Sequence, residues 1–228
     1  AIARGFAAAG ARVAIAGRRR EPIARVAGEI GGLAHVADIS DEAQVQTLMA
    51  ACDAAYGRLD VLVNNAAVGG LRKMVEDVDE AGFDESLAIN VKGVMLCTKH
   101  AAPLLKRQGG AIINLSSRLI SRGRSDYIAA KFAKFGMTQA AAQELGPFGI
   151  RVNALWPAGV EMFRASLKVW ARNEGISEEE YARTRMIEPS ALGRLVKPEE
   201  VAAAALFLAS DAASAITGTT LRVNAGRM

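Results

Sequence analysis

Short apolar, β-branched runs alternate with longer Ala-rich amphipathic stretches along this chain. The short runs predict strands at Arg12–Ala16, Leu33–Ala37, Val61–Val63, Ala111–Leu115, Arg151–Ala154 and Thr220–Val223. The stretches between them predict helices near Glu21–Ile30, Asp41–Tyr56, Glu85–Leu105, Tyr127–Leu145 and Pro198–Ala209. Strands that read as continuous apolar runs are buried on both faces. Their alternation with helices predicts an α/β fold: one doubly wound, mainly parallel sheet with helices on both sides and right-handed crossovers. No repeat, low-complexity tract or linker divides residues 1–228, so a single domain is expected. The least regular segment runs from Ala158 to Lys197.

The chain opens in what reads as a helix, Ala1 to Ala9, with Gly10 as its C-terminal cap and a strand directly after. A nucleotide-binding half of a doubly wound sheet normally starts with a strand and a glycine-rich turn. Neither precedes this helix, and no Gly-x-Gly-x-x-Gly stands where it belongs.

Composition narrows the classes. At 51% hydrophobic and 23% charged, the chain is built for a packed core rather than disorder. A net charge of +4 with only 5% aromatics, and no basic run interleaved with them, argues against a nucleic-acid surface. The longest apolar run, Val201 to Ala209, is far short of the roughly 20 residues that span a bilayer. Cys52 and Cys97 lack a Cys-x-x-Cys partner and are expected as buried thiols in a reducing cytoplasm. His35 and His100 have no ligand-like neighbours, so no metal site is expected.

The chemistry begins with Tyr127 and Lys131, four apart on one expected helix face. A tyrosine with a pKa of about 10 is a poor acid–base catalyst at neutral pH. A cation within about 4–6 Å favours the phenolate and tunes it toward the working pH. Alone, such a pair is common: an amphipathic Tyr beside a surface Lys.

The surrounding motifs make it specific. Asn64-Asn65-Ala66-Ala67 follows a strand, Asn90 stands in Ile-Asn-Val-Lys-Gly, and Ile113-Asn114-Leu115-Ser116-Ser117 ends another strand. Ile150-Arg-Val-Asn-Ala154 with Pro157, Gly193-Arg-Leu195, Pro198-Glu-Glu-Val201 and Ile216-Thr-Gly218 follow in order. Together these resemble the short-chain dehydrogenase/reductase family over essentially the whole chain.

The resemblance implies a Rossmann-type domain that binds NAD(H) or NADP(H) and moves a hydride between the nicotinamide and a ketone or secondary alcohol. It implies Tyr127 as the proton donor or acceptor. Lys131 would lower the tyrosine pKa and bind the nicotinamide ribose, Ser117 would donate to the substrate oxygen, and Asn90 would hold a relay water. It implies cofactor contacts at Arg18, Arg19, Asp38, Ile39, Asn64, Ala66, Pro157 and Val160. Ligands of open α/β sheets bind past the strand carboxyl ends, where Asp38, Asn64, Ser117 and Pro157 fall. The position expected to carry an acid for NAD is Gly17, followed by Arg18-Arg19-Arg20. A guanidinium there grips a 2′-phosphate bidentately, so NADP(H) is expected over NAD(H). Asp38 reads alternatively as an N-cap, a role Ser40 fills better.

Four features depart from the family pattern. The family's first strand lies mid-sheet, between Arg12–Ala16 and Val61–Val63, so about 15–25 further residues upstream are expected in the natural protein. Tyr127 follows Ser117 by only ten positions, a short loop that would shift Ser117 or recruit Ser116 or Ser121. Met162 stands where the family has a threonine that orients the carboxamide, leaving backbone groups near Val160 for that task. Asn224-Ala225-Gly226 replaces an Asp-Gly-Gly.

Residues of about 159–192 occupy the place of the family's substrate loop, with Phe163, Trp170 and Met186 either as a lid or as ordinary packing. Small ketones, polyols and 3-oxoacyl thioesters all suit such a site. The family also implies a homotetramer built on Glu85–Leu105 and Tyr127–Leu145. The rival reading is a catalytically silent scaffold that binds nucleotide or protein, favoured by the absent glycine loop, the short Ser117–Tyr127 loop and Met162, and opposed by the intact Asn90, Ser117, Tyr127 and Lys131.

Overall fold

A computed structural model describes residues 1–117, 123–161 and 164–227. Helix α1 (Ile2–Ala8) leads into β1 (Ala14–Gly17), α2 (Arg20–Ile30), β2 (Leu33–Val36), α3 (Glu42–Tyr56) and β3 (Val61–Asn64). Then come α4 (Glu80–Leu87), a π-turn at Ala88–Lys92, α5 (Gly93–Leu105) and β4 (Gly110–Leu115). Helix α6 (Ser125–Leu145) and β5 (Ile150–Pro157) precede α7 (Arg164–Glu174), α8 (Glu178–Tyr181), a second π-turn at Ala182–Ile187, α9 (Pro198–Ala209) and β6 (Thr220–Val223).

All strand pairs are parallel, as continuous apolar strands separated by helices require. The expected single sheet is nevertheless interrupted. Strand β1 pairs with β2, while β3, β4, β5 and β6 form a separate four-stranded ladder. The break falls between β1 and β3, where the family pattern has a further strand. Packing still joins the two parts. One core takes Val45, Leu48 and Met49 of α3, Leu96 and Leu105 of α5 and Ile112 of β4, with Ala14, Ala16 and Leu62 against it. The other takes Phe6 of α1, Ile113 and Leu115 of β4, Leu155 of β5 and Val201, Ala205 and Leu208 of α9, with Val13, Val61 and Val63 against it. Neighbouring residues Ile112 and Ile113 enter opposite cores, as the period of two in a strand dictates.

Several expected boundaries move. Strand β5 continues past Ala154 to Pro157, because Ala154 to Pro157 pair with Thr220 to Val223 of β6. The helix expected over Glu85–Leu105 starts earlier, at Glu80, and runs on through the π-turn that holds Asn90, where the backbone stays helical between α4 and α5. Gly10 follows α1 at φ 87°, with its N–H on Ala7 O and that of Ala11 on Phe6 O, which is the expected helix stop. The N-cap of α3 is Asp41, whose carboxylate accepts from the Ala43 and Gln44 amides, so neither Asp38 nor Ser40 caps it. Cys52 and Cys97 are buried thiols, and burial pushes Cys97 up to about 11, which makes it inert. Among the described residues no helix is long and apolar enough to cross a membrane, and no His/Cys/Asp/Glu cluster could hold a metal.

Candidate active site

Parallel pairing puts the carboxyl ends of β1 and β2 at one edge of their ladder and those of β3 to β5 at one edge of theirs. Gly17-Arg18, Ala37-Asp38, Asn64, Ser116-Ser117 and Pro157 stand at those ends, and α6, with Tyr127 and Lys131, is tied to the end of β4 by hydrogen bonds. Of these, Lys131 is the most constrained. It is 4% exposed, and its ammonium donates to the Leu115 carbonyl at 3.3 Å. Its Nζ lies 5.2 Å from the Tyr127 ring centroid, so the expected pairing on one helix face holds. Burial, then the charge of Lys134, brings Lys131 down to about 7.

The electrostatics of Tyr127 differ from expectation. Burial pushes its phenol above the ordinary value, and the cation that offsets this is Arg124, not Lys131. The Arg124 guanidinium carbon sits 4.1 Å from the Tyr127 ring centroid, whereas Lys131 spends its proton on a backbone oxygen. The offset to burial thus comes from a residue three positions before the tyrosine.

Asn90 is fully buried in its π-turn. Its Oδ1 accepts from the Val68 N–H and its Nδ2 donates to the Val68 carbonyl, both at 3.2 Å. The side chain therefore clamps the loop after β3, and a π-turn leaves main-chain groups outside the regular α ladder. Ser117 is half-buried at the end of β4. Ser116 is buried and donates to the Lys131 carbonyl at 2.8 Å, so it ties β4 to α6 rather than facing a substrate. Ser121, Met162 and Phe163 lie outside the described residues.

Asn64 is buried and donates to Asn114 Oδ1 at 2.9 Å, and Asn114 donates to Thr138 Oγ1 at 2.9 Å. This chain of side chains locks β3, β4 and α6 in register. Ala66 is exposed in the loop that follows. Val160 is 2% exposed in the second core and bridges to Val196. The Glu161 amide and Gly159 carbonyl beside it are taken up by Val196.

Arg18 lies 3.9 Å from the Asp38 carboxylate, and both are solvent-accessible. Hydrogen bonds from Ser40, at 2.6 Å from Oγ and 2.9 Å from N, hold that carboxylate below its ordinary pKa ahead of any effect of Arg18. Arg19 is the exposed N-cap of α2, and Ile39 packs against the first core.

Four residues that the sequence reading passed over belong here. Lys134 is 0% exposed and donates to the same Leu115 oxygen at 3.3 Å. Asp126, 1% exposed, accepts from the Leu71 amide at 3.1 Å. Gly70, at φ 78°, lies so close to α6 that a Cβ would sit 2.7 Å from the Tyr127 Cβ. Arg124 also donates to the Gly69 carbonyl at 3.0 Å. For Lys134 the signal was available, since it stands three positions after Lys131 on the same face. Arg124 and Asp126 are near neighbours of Tyr127 whose contacts with Gly69 and Leu71 only the tertiary structure shows, and Gly70 reaches α6 by tertiary contact alone.

A nicotinamide dinucleotide fits this edge by its donor set. Among the described residues Lys131 has one oxygen acceptor, leaving ammonium donors in a buried setting that ribose hydroxyls would complete. Arg18 offers a half-exposed guanidinium where the adenosine ribose would end.

Comparison with known proteins agrees. The model of the enoyl-(acyl carrier protein) reductase family matches residues 1–227. A short-chain dehydrogenase/reductase of Aspergillus oryzae is 39% identical over 97% of this chain and 87% of its own length. The D-threitol dehydrogenase of Mycolicibacterium smegmatis is 35% identical over 99% of this chain and 86% of its own. Among solved structures, sorbitol-6-phosphate 2-dehydrogenase from Erwinia amylovora superposes with a TM-score of 0.92 at 31% identity, covering 100% of this chain and 94% of that one. The 3-ketoacyl-(acyl-carrier-protein) reductase from Brucella melitensis, complexed with NADH, gives 0.87 at 36% identity, covering 99% and 91%. With the parallel α/β sheet and the Tyr127–Lys131 edge, these matches show that the chain belongs to the short-chain dehydrogenase/reductase family of oxidoreductases.

Proposed function

We propose that this protein is a nicotinamide-dependent oxidoreductase that interconverts a ketone and a secondary alcohol. The observation that carries the reading is the placement of Tyr127 beside buried Lys131 at the carboxyl edge of β4. When bound, the nicotinamide supplies or accepts the hydride. Tyr127 gives its phenolic proton to the carbonyl oxygen as charge develops there, or takes it back from the alcohol. Arg124 favours the phenolate that results. Ser117 donates to the same oxygen, as an oxyanion-type donor does. Lys131 binds the nicotinamide ribose. Asn90 acts by position: its side chain holds Val68, and the main chain of its π-turn holds the relay water.

Residues about 159–192 are the substrate segment of this single domain. Trp170 and Tyr181 lie in one small cluster with Leu167, Met186 and Leu195, which favours packed helices carrying the substrate wall over a loose lid. The adenosine end is set by Arg18 and Arg19 with Asp38 and Ile39, and the middle by Asn64, Ala66, Pro157 and Val160. Arg18 and the missing carboxylate at Gly17 make NADP(H) the preferred cofactor. The working form is a cytoplasmic homotetramer. Met95 on α5 and Phe132 on α6, at 43% and 39% exposed, provide apolar contacts for the helix faces that would pair.

Titration of the protein with NADPH and NADH, followed by nicotinamide fluorescence in wild type and Tyr127→Phe, tests the reading. The variant should bind as wild type does yet lose turnover by a factor of about a hundred or more. Retained turnover would overturn the role of Tyr127.

A further inference from the structure

Resting on the dehydrogenase reading above, we propose that the substrate carries an anionic group, a carboxylate or a phosphate, held between Arg72 and Arg124 beside Tyr127. Arg124 lies over the Tyr127 ring at 4.1 Å, so its charge borders the reacting oxygen. Its Nη2 is tied to the Gly69 carbonyl at 3.0 Å, which fixes the guanidinium, and its buried Nε has no hydrogen-bond partner among the described residues. Arg72 follows Gly69 by three residues and holds a left-handed backbone at φ 57°, a conformation that costs a non-glycine residue. Its guanidinium carbon is 5.2 Å from the ring centroid of Trp170, on the substrate segment.

The two cations are close enough to repel each other. Among the described residues neither forms an ion pair with a carboxylate, and burial together with the charge of Arg124 disfavours the charged form of Arg72. The nearby acids are committed elsewhere. Asp126 accepts the Leu71 amide, Asp79 pairs with Lys73, and Glu174 pairs with Arg185. Arg227 adds a third positive charge close to Tyr181. Two guanidiniums held by backbone and ring contacts, with donors left over, suit bidentate recognition of a carboxylate or phosphate. An anion there relieves the repulsion and brings the rest of the substrate onto Tyr127. A neutral alcohol would leave both charges unpaired in a partly buried site.

The test has two arms. In the first, inorganic phosphate and acetate are titrated separately into the full chain and read by tryptophan fluorescence, since Trp170 adjoins Arg72. Wild type should respond saturably, Arg72→Lys should respond more weakly, and Arg72→Gln should lose the response. Exposed Lys106→Gln controls for net charge. The anion that saturates at lower concentration identifies which of the two chemistries is recognised. In the second, turnover is compared within matched pairs: acetoacetate against ethyl acetoacetate, and a ketose phosphate against the free ketose. The anionic member should have a kcat/KM about tenfold or more higher, and Arg72→Gln should collapse that ratio through KM. No saturable response, a response unchanged in Arg72→Gln, or ratios near one would overturn the proposal. An Arg72-dependent response from a protein that turns over no pair would support the anion site and count against the dehydrogenase reading, so the two fail separately.

Discussion

Lys131 and Lys134 bring their ammonium groups to one backbone oxygen, the carbonyl of Leu115, each at 3.3 Å. Both are buried, at 4% and 0% exposed. Burial, then the second ammonium, lowers Lys131 to about 7. Burial lowers Lys134 to about 8. Because Lys131 has a like-charged buried neighbour, protonation and stability are coupled at this point of the fold.

The stability consequence has a definite sign. Unfolded, each lysine titrates near 10.5, so between about 7 and 10.5 the unfolded chain binds more protons than the folded one. The unfolding free energy should therefore rise with pH across that window. Lys134→Met should flatten the rise and stabilise the protein at neutral pH by on the order of 1 kcal/mol, because it removes a buried charge of similar shape. Urea denaturation at several pH values measures this; a slope equal to that of wild type would count against it.

The same variant should extend activity toward alkaline pH. Losing the Lys134 charge raises the Lys131 pKa, so Lys131 stays charged to higher pH. The alkaline limb of kcat/KM should move up in Lys134→Met relative to wild type. A shift downward would mean that Lys134 supports Lys131 rather than opposing it.

Arg124 governs the phenol from the other side. Its charge and hydrogen bond favour the phenolate against the effect of burial. Arg124→Gln should raise the Tyr127 pKa further, visible as a later tyrosinate absorbance transition than in wild type, with Tyr127→Phe used to assign the signal. An unchanged transition would remove Arg124 from the tuning of Tyr127.

Gly70 has two reasons to be glycine. Its φ is 78°, and a Cβ would lie 2.7 Å from the Tyr127 Cβ and 2.9 Å from an Asp126 oxygen. Gly70→Ala should cost about 1–3 kcal/mol of stability and push the 69–72 loop off the start of α6. Its loss of kcat should exceed what the fraction unfolded explains; a variant with full kcat would show that the loop approach is not needed.

Asn114 links Asn64 to Thr138 through two bonds of 2.9 Å inside the core. Asn114→Ala removes two buried hydrogen bonds, leaving the Asn64 amide only a long contact to Thr98 and the Thr138 hydroxyl only its bond to the Lys134 carbonyl, at a cost of about 1–3 kcal/mol. A fall in Tm checks it, and Asn114→Ala within 0.5 kcal/mol of wild type, about the noise for a neutral change, would contradict it.

Local pattern determined most of the architecture. Apolar runs at Ala111–Leu115 and amphipathic stretches such as Asp41–Tyr56 declare strand and helix through side-chain periodicity, which neighbours along the chain set. The pairing of Tyr127 with Lys131 was legible for the same reason, since four residues make one helix face. Strand β5 was read too short because Trp156 and Pro157 owe their extended form to β6, more than sixty residues away.

Orientation and long-range contact were decided only by the tertiary structure. The cation that offsets burial at Tyr127 is Arg124, three residues away, and the cap of α3 is Asp41 beside it, choices among near neighbours that depend on where each side chain turns. Gly70 meets Asp126, and Arg72 meets Trp170, across gaps that no periodicity reports. The break between β1 and β3 is likewise a matter of hydrogen-bond partners rather than strand propensity. Propensity acts within a few residues of the backbone, whereas charge, burial and ladder pairing depend on what the folded chain brings within a few ångströms.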